Sequence, residues 1–239
     1  MSSSKKLAVG GGALLIALIV VIVGFFATRG DAPDELTIGD RADGAAETAE
    51  EAAPADEAAV AGDVDIVGLW TLTGDSVAGY RVVEDFVGGV ADFEAVGRGS
   101  DITGDLTIEG TTVTEADFSI EVASITSDSD MRDGQFRGPI LNAAEFPTSD
   151  FVLTSPIELG DVPADGEIVA VDATGTLTLR DATVEVTFPL EASLVGDEVQ
   201  VAGSIDVLFS DYGIENPSNP FVTVRDEGVV EFSLFFEKA

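Results

Sequence analysis

The chain contains no cysteine and no histidine. Without cysteine there is no disulfide, no thiol nucleophile and no thiolate metal site. Without histidine there is no Ser-His-Asp or Cys-His machinery and no imidazole zinc site. Only carboxylates remain as metal ligands, and they favour hard ions such as calcium. The stretch SDSDMRDG lacks the glycine and terminal glutamate positions of a calcium-binding EF-hand loop, so no metal site is expected. Basic residues are scarce as well: eleven Lys and Arg stand against forty-five Asp and Glu, for a net charge of −34. That balance argues against binding nucleic acid, or an anionic lipid surface, through charge. A solvated acidic surface is its plain consequence, and it suits a high-salt habitat where screening relieves self-repulsion. Among so many acids nothing singles out a pair for acid–base catalysis, and no enzyme is expected.

One long apolar run is present. Residues 7–27, LAVGGGALLIALIVVIVGFFA, carry no charge, and as a helix they would be about 31 Å long, enough to cross a bilayer core. Lys5 and Lys6 precede the run, and Asp31, Asp34 and Glu35 follow it. This asymmetry predicts a cytoplasmic N-terminus of residues 1–6, a transmembrane helix, and export of everything beyond. A cleaved signal peptide wants a shorter apolar stretch and a small-x-small site, and Phe25-Phe26-Ala27 is a poor one. An uncleaved, single-pass signal anchor in the cell membrane is therefore expected. Residues 28–65 are rich in Ala, Glu, Asp, Pro and Gly and lack aromatics, which predicts a disordered acidic linker.

From residue 66 to 239 the dominant period is two. Val184, Val186, Phe188 and Leu190 share one face, as do Val199, Val201, Gly203, Ile205 and Val207, and Val230, Phe232, Leu234 and Phe236. Turn signals such as Glu109-Gly110, Asp165-Gly166 and Gly196-Asp197 separate the runs. Antiparallel strands with one apolar face need closure or a second sheet, and the in-strand glycines Gly104, Gly175 and Gly203 tilt the choice toward a barrel. Ser129 to Leu141 breaks the alternation and reads as a short helix, with Ser129 or Asp130 as its cap and Pro139 limiting its length. The region from Asp211 to Pro220 reads as a loop.

Several pieces in a fixed order carry a resemblance: LWTL, SVAGYRVVEDFVGG, DFSIEVASITSD, MRDGQFRGPIL, AAEFPTSDFVLTSPIEL, ATGTLTLRDATVEVTFPLEA and SDYGIENPS. Together they resemble the YceI-like family, the polyisoprenoid-binding, lipocalin-like barrels of bacterial envelopes. The GYRVVE version is similar to the actinobacterial branch. The resemblance implies an antiparallel β-barrel with one short helix, holding a long isoprenoid such as a polyprenyl quinone or polyprenyl phosphate. Two places where family members often carry histidine read Gln135 and Arg180 here. A polar head group would then be met by Arg132, Gln135, Arg137 or Tyr80.

Periodicity does not say whether the barrel is hollow or filled with side chains. Phe93, Phe118, Phe136, Phe146, Phe151, Phe188 and Phe209 read equally as core or as the lining of a lipid pocket. Arg132 and Asp133 read either as a head-group contact or as an anchor for the helix. Trp70 is expected to plug one end. The expected function is that of a membrane-tethered, extracytoplasmic carrier or store for an isoprenoid lipid, without cofactor or catalysis. The alternative is an envelope interaction module with a filled barrel.

Overall fold

Residues 32–42, 65–88, 90–160 and 162–239 are described by the structure, a computed structural model. Within them the alternation becomes twelve strands, all paired antiparallel: β1 (Gly68–Leu72), β2 (Val77–Phe86), β3 (Val90–Gly99), β4 (Ile102–Glu109), β5 (Thr112–Glu121), β6 (Thr126–Ser127), β7 (Thr148–Leu153), β8 (Ile157–Glu158), β9 (Ile168–Leu179), β10 (Ala182–Val195), β11 (Glu198–Leu208) and β12 (Val222–Lys238). The order β1-β4-β5-β7-β9-β10-β11-β12 closes because β12 also pairs with β1, giving an eight-stranded barrel. The 17 residues of β12 serve two partners. Lys238 to Phe236 pair with β1, and Ser233 to Val222 pair with β2. Ser76, at the break between β1 and β2, holds the junction: the Phe235 N–H donates to its hydroxyl at 2.9 Å.

The expected inward sets hold on β11 and β12, where Ile205, Val207, Phe232, Leu234 and Phe236 are buried. Trp70 is buried at the β1 end, its indole donating to the Ile66 carbonyl at 2.9 Å. At the opposite end β6 and a short helix follow β5. Helix α1 (Asp130–Gln135) is capped by Ser129, whose hydroxyl accepts from the Arg132 N–H, and one wider turn (Phe136–Ile140) ends it at Gly138-Pro139. Buried Asp133 clasps α1 to β6 by accepting from the Ser127 N–H at 2.9 Å and the Ser127 hydroxyl at 2.7 Å. Between β11 and β12, a tight turn (Phe209–Tyr212) ends at Gly213, whose φ of +62° suits glycine, and a loop follows as expected.

Residues 32–42, which fall within the segment expected to be a linker, lie along the outer wall of the barrel. Arg81 donates to the Pro33 carbonyl at 2.8 Å and Arg98 to that of Asp34. Arg41 pairs with Asp75 at 2.5 Å and Glu198 at 2.8 Å, and its guanidinium lies 4.2 Å above the Phe235 ring. Composition registers the apolar surface within a segment and not the arginines that the barrel supplies to its carbonyls. Residues 28–31 and 43–64 of the expected linker and the expected membrane helix at 7–27 lie outside the described residues. Among the described residues, no helix is long and apolar enough to cross a membrane.

Candidate functional site

Inward side chains do not fill the barrel. A chamber of about 640 Å³ opens at the α1 end, and a smaller one of about 110 Å³ lies toward the β1 end. The larger falls in the range of pockets that enclose small-molecule ligands, roughly 300–1,000 Å³. Its wall is mostly apolar, from Ile120, Leu177, Leu179 and Val230, with a few polar groups near the opening.

The polar groups come from α1 and its cap Ser129, from the ends of β2 and β7, and from Ser218 and Asn219 in the loop before β12. Ala78, Tyr80, Val82, Glu84 and Phe86 project inward from β2, so Glu84 is a carboxylate on an otherwise apolar face. It meets Arg132 of α1 at 3.3 Å, and Arg132 also pairs with Asp128. Burial works against the guanidinium charge, but the two carboxylates more than offset it, so the Arg132 pKa is raised. The Arg132 Nε–H is buried without an acceptor. Ser149 points inward two residues before Phe151, and its buried hydroxyl also lacks a partner. Tyr80 stacks on Phe136 with ring centroids 4.4 Å apart. Desolvation pushes its hydroxyl up to about 12, with Arg132 opposing the shift and Asp133 adding to it.

Of the residues expected to meet a lipid, Tyr80, Phe118, Arg132, Gln135, Phe136 and Phe209 stand on the wall of the larger chamber. Phe188 and Phe151 line the smaller one. Two of the expected residues stand elsewhere. Phe93 lies outside both walls, at the rim, where it packs edge-on against Phe86 beneath the Arg132 guanidinium. Phe146 also lies outside both, in the turn after α1 that links it to β7. Arg137 is taken up by the Ile125 carbonyl at 2.9 Å and by Asp133. Arg180 reaches the carbonyls of Ile140 and Gly213 from the β9–β10 turn. Sequence reasoning passed over Glu84 and Ser149, although each is a polar residue at an apolar parity, and that was the available signal. Among the described residues, no three acidic side chains are arranged to hold a metal ion.

The YceI-like domain family matches residues 76–236, two thirds of the chain. The chain belongs to the YceI-like family. The match begins after β1, yet β1 is the strand that closes the barrel. Two solved structures share the fold of this chain. One is a polyisoprenoid binding domain from Saccharophagus degradans implicated in plant cell wall breakdown, at 18% identity and a TM-score of 0.58, covering 72% of this chain and 99% of that one. The other is BcnA from Burkholderia cenocepacia, at 21% identity and a TM-score of 0.50, covering 66% of this chain and 95% of that one. No functionally curated protein matches the chain.

Proposed function

We propose that this protein is an extracytoplasmic, membrane-tethered barrel that binds an isoprenoid lipid and carries or stores it without catalysis. The observation that carries the reading is the apolar chamber of about 640 Å³, open beside Arg132 and Gln135. Family membership and the polyisoprenoid binding of a structural neighbour support the same class of ligand. Burial of the chain supplies the binding energy, about 0.8 kcal/mol for each methylene before ordering costs. The mouth favours a neutral, hydrogen-bond-accepting head such as a quinone over a phosphate. Arg132 is already met there by two carboxylates, Glu84 and Asp128, so an anion would face net negative charge. A carbonyl oxygen needs only a donor, and the unpartnered Arg132 Nε–H and Ser149 hydroxyl are donors.

The test is native mass spectrometry of the full chain, purified in lipid nanodiscs from a host related to its source, then solvent extraction. A released isoprenoid, with occupancy lowered in Arg132→Ala, supports the reading. An empty barrel that also refuses added polyprenyl quinones and polyprenyl phosphates refutes it.

A further inference from the structure

The two chambers are separated by a single layer of aromatic rings. Phe118 of β5, Phe151 of β7, Phe188 of β10 and Phe232 of β12 form a closed circuit across the barrel. Their centroids are 5.4 Å apart from Phe118 to Phe151, from Phe118 to Phe232 and from Phe151 to Phe188, and 5.9 Å apart from Phe188 to Phe232. Phe118 borders both chambers, and the other three border the smaller one. Two in-strand glycines make room for this layer. A Cβ at Gly175 would lie 2.4 Å from Cζ of Phe151, and one at Gly203 would lie 2.9 Å from Cζ of Phe232. Each ring therefore lies in space that any other residue type would occupy.

The geometry points to these four phenylalanines as a septum that sets the length of the chain the barrel accepts, an inference that rests on the lipid-binding reading above. A chain entering beside Arg132 meets apolar wall until it reaches the rings, and there its path ends. The far chamber, about 110 Å³, is smaller than the roughly 150 Å³ cavity that accommodates benzene. It adds one short stretch of chain and no more, even when the rings are removed. A chain in the first chamber is shielded from water about as well as in the bilayer, but past the septum every further pair of methylenes is left in water and lowers affinity about tenfold.

The experiment loads nanodiscs holding the full chain with an equimolar ladder of linear polyprenols, and separately with a ladder of n-alkanols. Native mass spectrometry then reads which lengths are bound. The expected result is a length cut-off in the unaltered protein and a longer cut-off in Phe188→Ala. Phe188→Leu, which keeps more of the apolar volume, shifts it the same way by less and covers the case in which the alanine variant does not fold. Bound chains of every length in the unaltered protein, or a cut-off that neither variant moves, overturn the proposal. If alkanols show the cut-off and polyprenols do not bind, the septum stands and the isoprenoid reading falls. If the folded protein retains neither ladder, both fall.

Discussion

Removing the carboxylate of Glu231 tests the outer wall of the barrel. Glu231 points away from the interior, between inward Val230 and Phe232, yet only 2% of its surface is exposed. Two guanidinium groups converge on it, with Arg98 Nη2 at 2.8 Å and Arg81 Nη2 at 3.3 Å. The same two arginines hold the Pro33 and Asp34 carbonyls. In Glu231→Leu, Arg81 keeps Glu94 at 2.7 Å, but buried Arg81 and partly exposed Arg98 are left without their shared counter-charge. Breaking a buried ion pair from one side costs about 3–5 kcal/mol, and the remaining partner of Arg81 puts this case near 3. In a domain of this size each kcal/mol is worth about 2–4 °C, so Tm should fall by roughly 6–12 °C. Thermal melts of the full chain followed by circular dichroism measure that fall, and hydrogen exchange of residues 32–42 reads release of the segment. Arg225→Ala is the control, since it breaks the exposed contact with Asp92 and should barely move the melt. A Glu231→Leu variant that melts within a degree of the parent, with 32–42 still protected, would refute the account of the buried cluster.

Other perturbations address the mouth, the interior and the surface. Asp133→Ala removes the acceptor for two Ser127 donors, at a cost of about 1–3 kcal/mol; chemical denaturation should show the loss, with faster hydrogen exchange in α1. Gly97→Ala places a Cβ about 2.5 Å from the Tyr80 ring, which must swing into the larger chamber. Overpacking of about 1–3 kcal/mol and reduced lipid occupancy should result. The two tyrosines of the chain, Tyr80 and Tyr212, are both pushed up to about 12 by desolvation. The folded state therefore favours the protonated phenol. Stability should be unaffected by these groups below pH 10 and fall as pH rises from 10 toward about 12, by about 2–3 kcal/mol for Tyr80 alone; tyrosinate absorbance with parallel denaturation curves measures both. With a net charge of −34, the chain should melt higher in molar salt than in dilute buffer.

Much of the barrel was legible from residues close together in the chain. Period two placed Ile205, Val207, Phe232 and Leu234 inside, because neighbouring side chains on a strand point to opposite faces whatever the strand pairs with. The cap at Ser129 and the stop at Gly138-Pro139 are equally local, set by hydrogen bonding and ring geometry within one or two turns. Polar residues at apolar parities, Glu84 and Ser149, were visible too, though a parity violation alone does not say where on the barrel it falls.

Relations between distant residues were decided by closure and register. Phe118, Phe151, Phe188 and Phe232 come from four strands, and only the successive pairings of β5, β7, β9, β10, β11 and β12 bring them to one level. A hollow barrel with a septum and a filled barrel have the same alternation, since periodicity fixes the direction of a side chain and not the space beyond it. The outer wall followed the same rule in reverse. Glu231 and Phe235 have the parity of solvent-facing residues and are buried, because Arg81 and Arg98 meet the one and Arg41 the other. The sequence by itself determined which residues face in and which face out. The tertiary structure decided which of them meet, because contact across a barrel depends on distances that no local pattern contains.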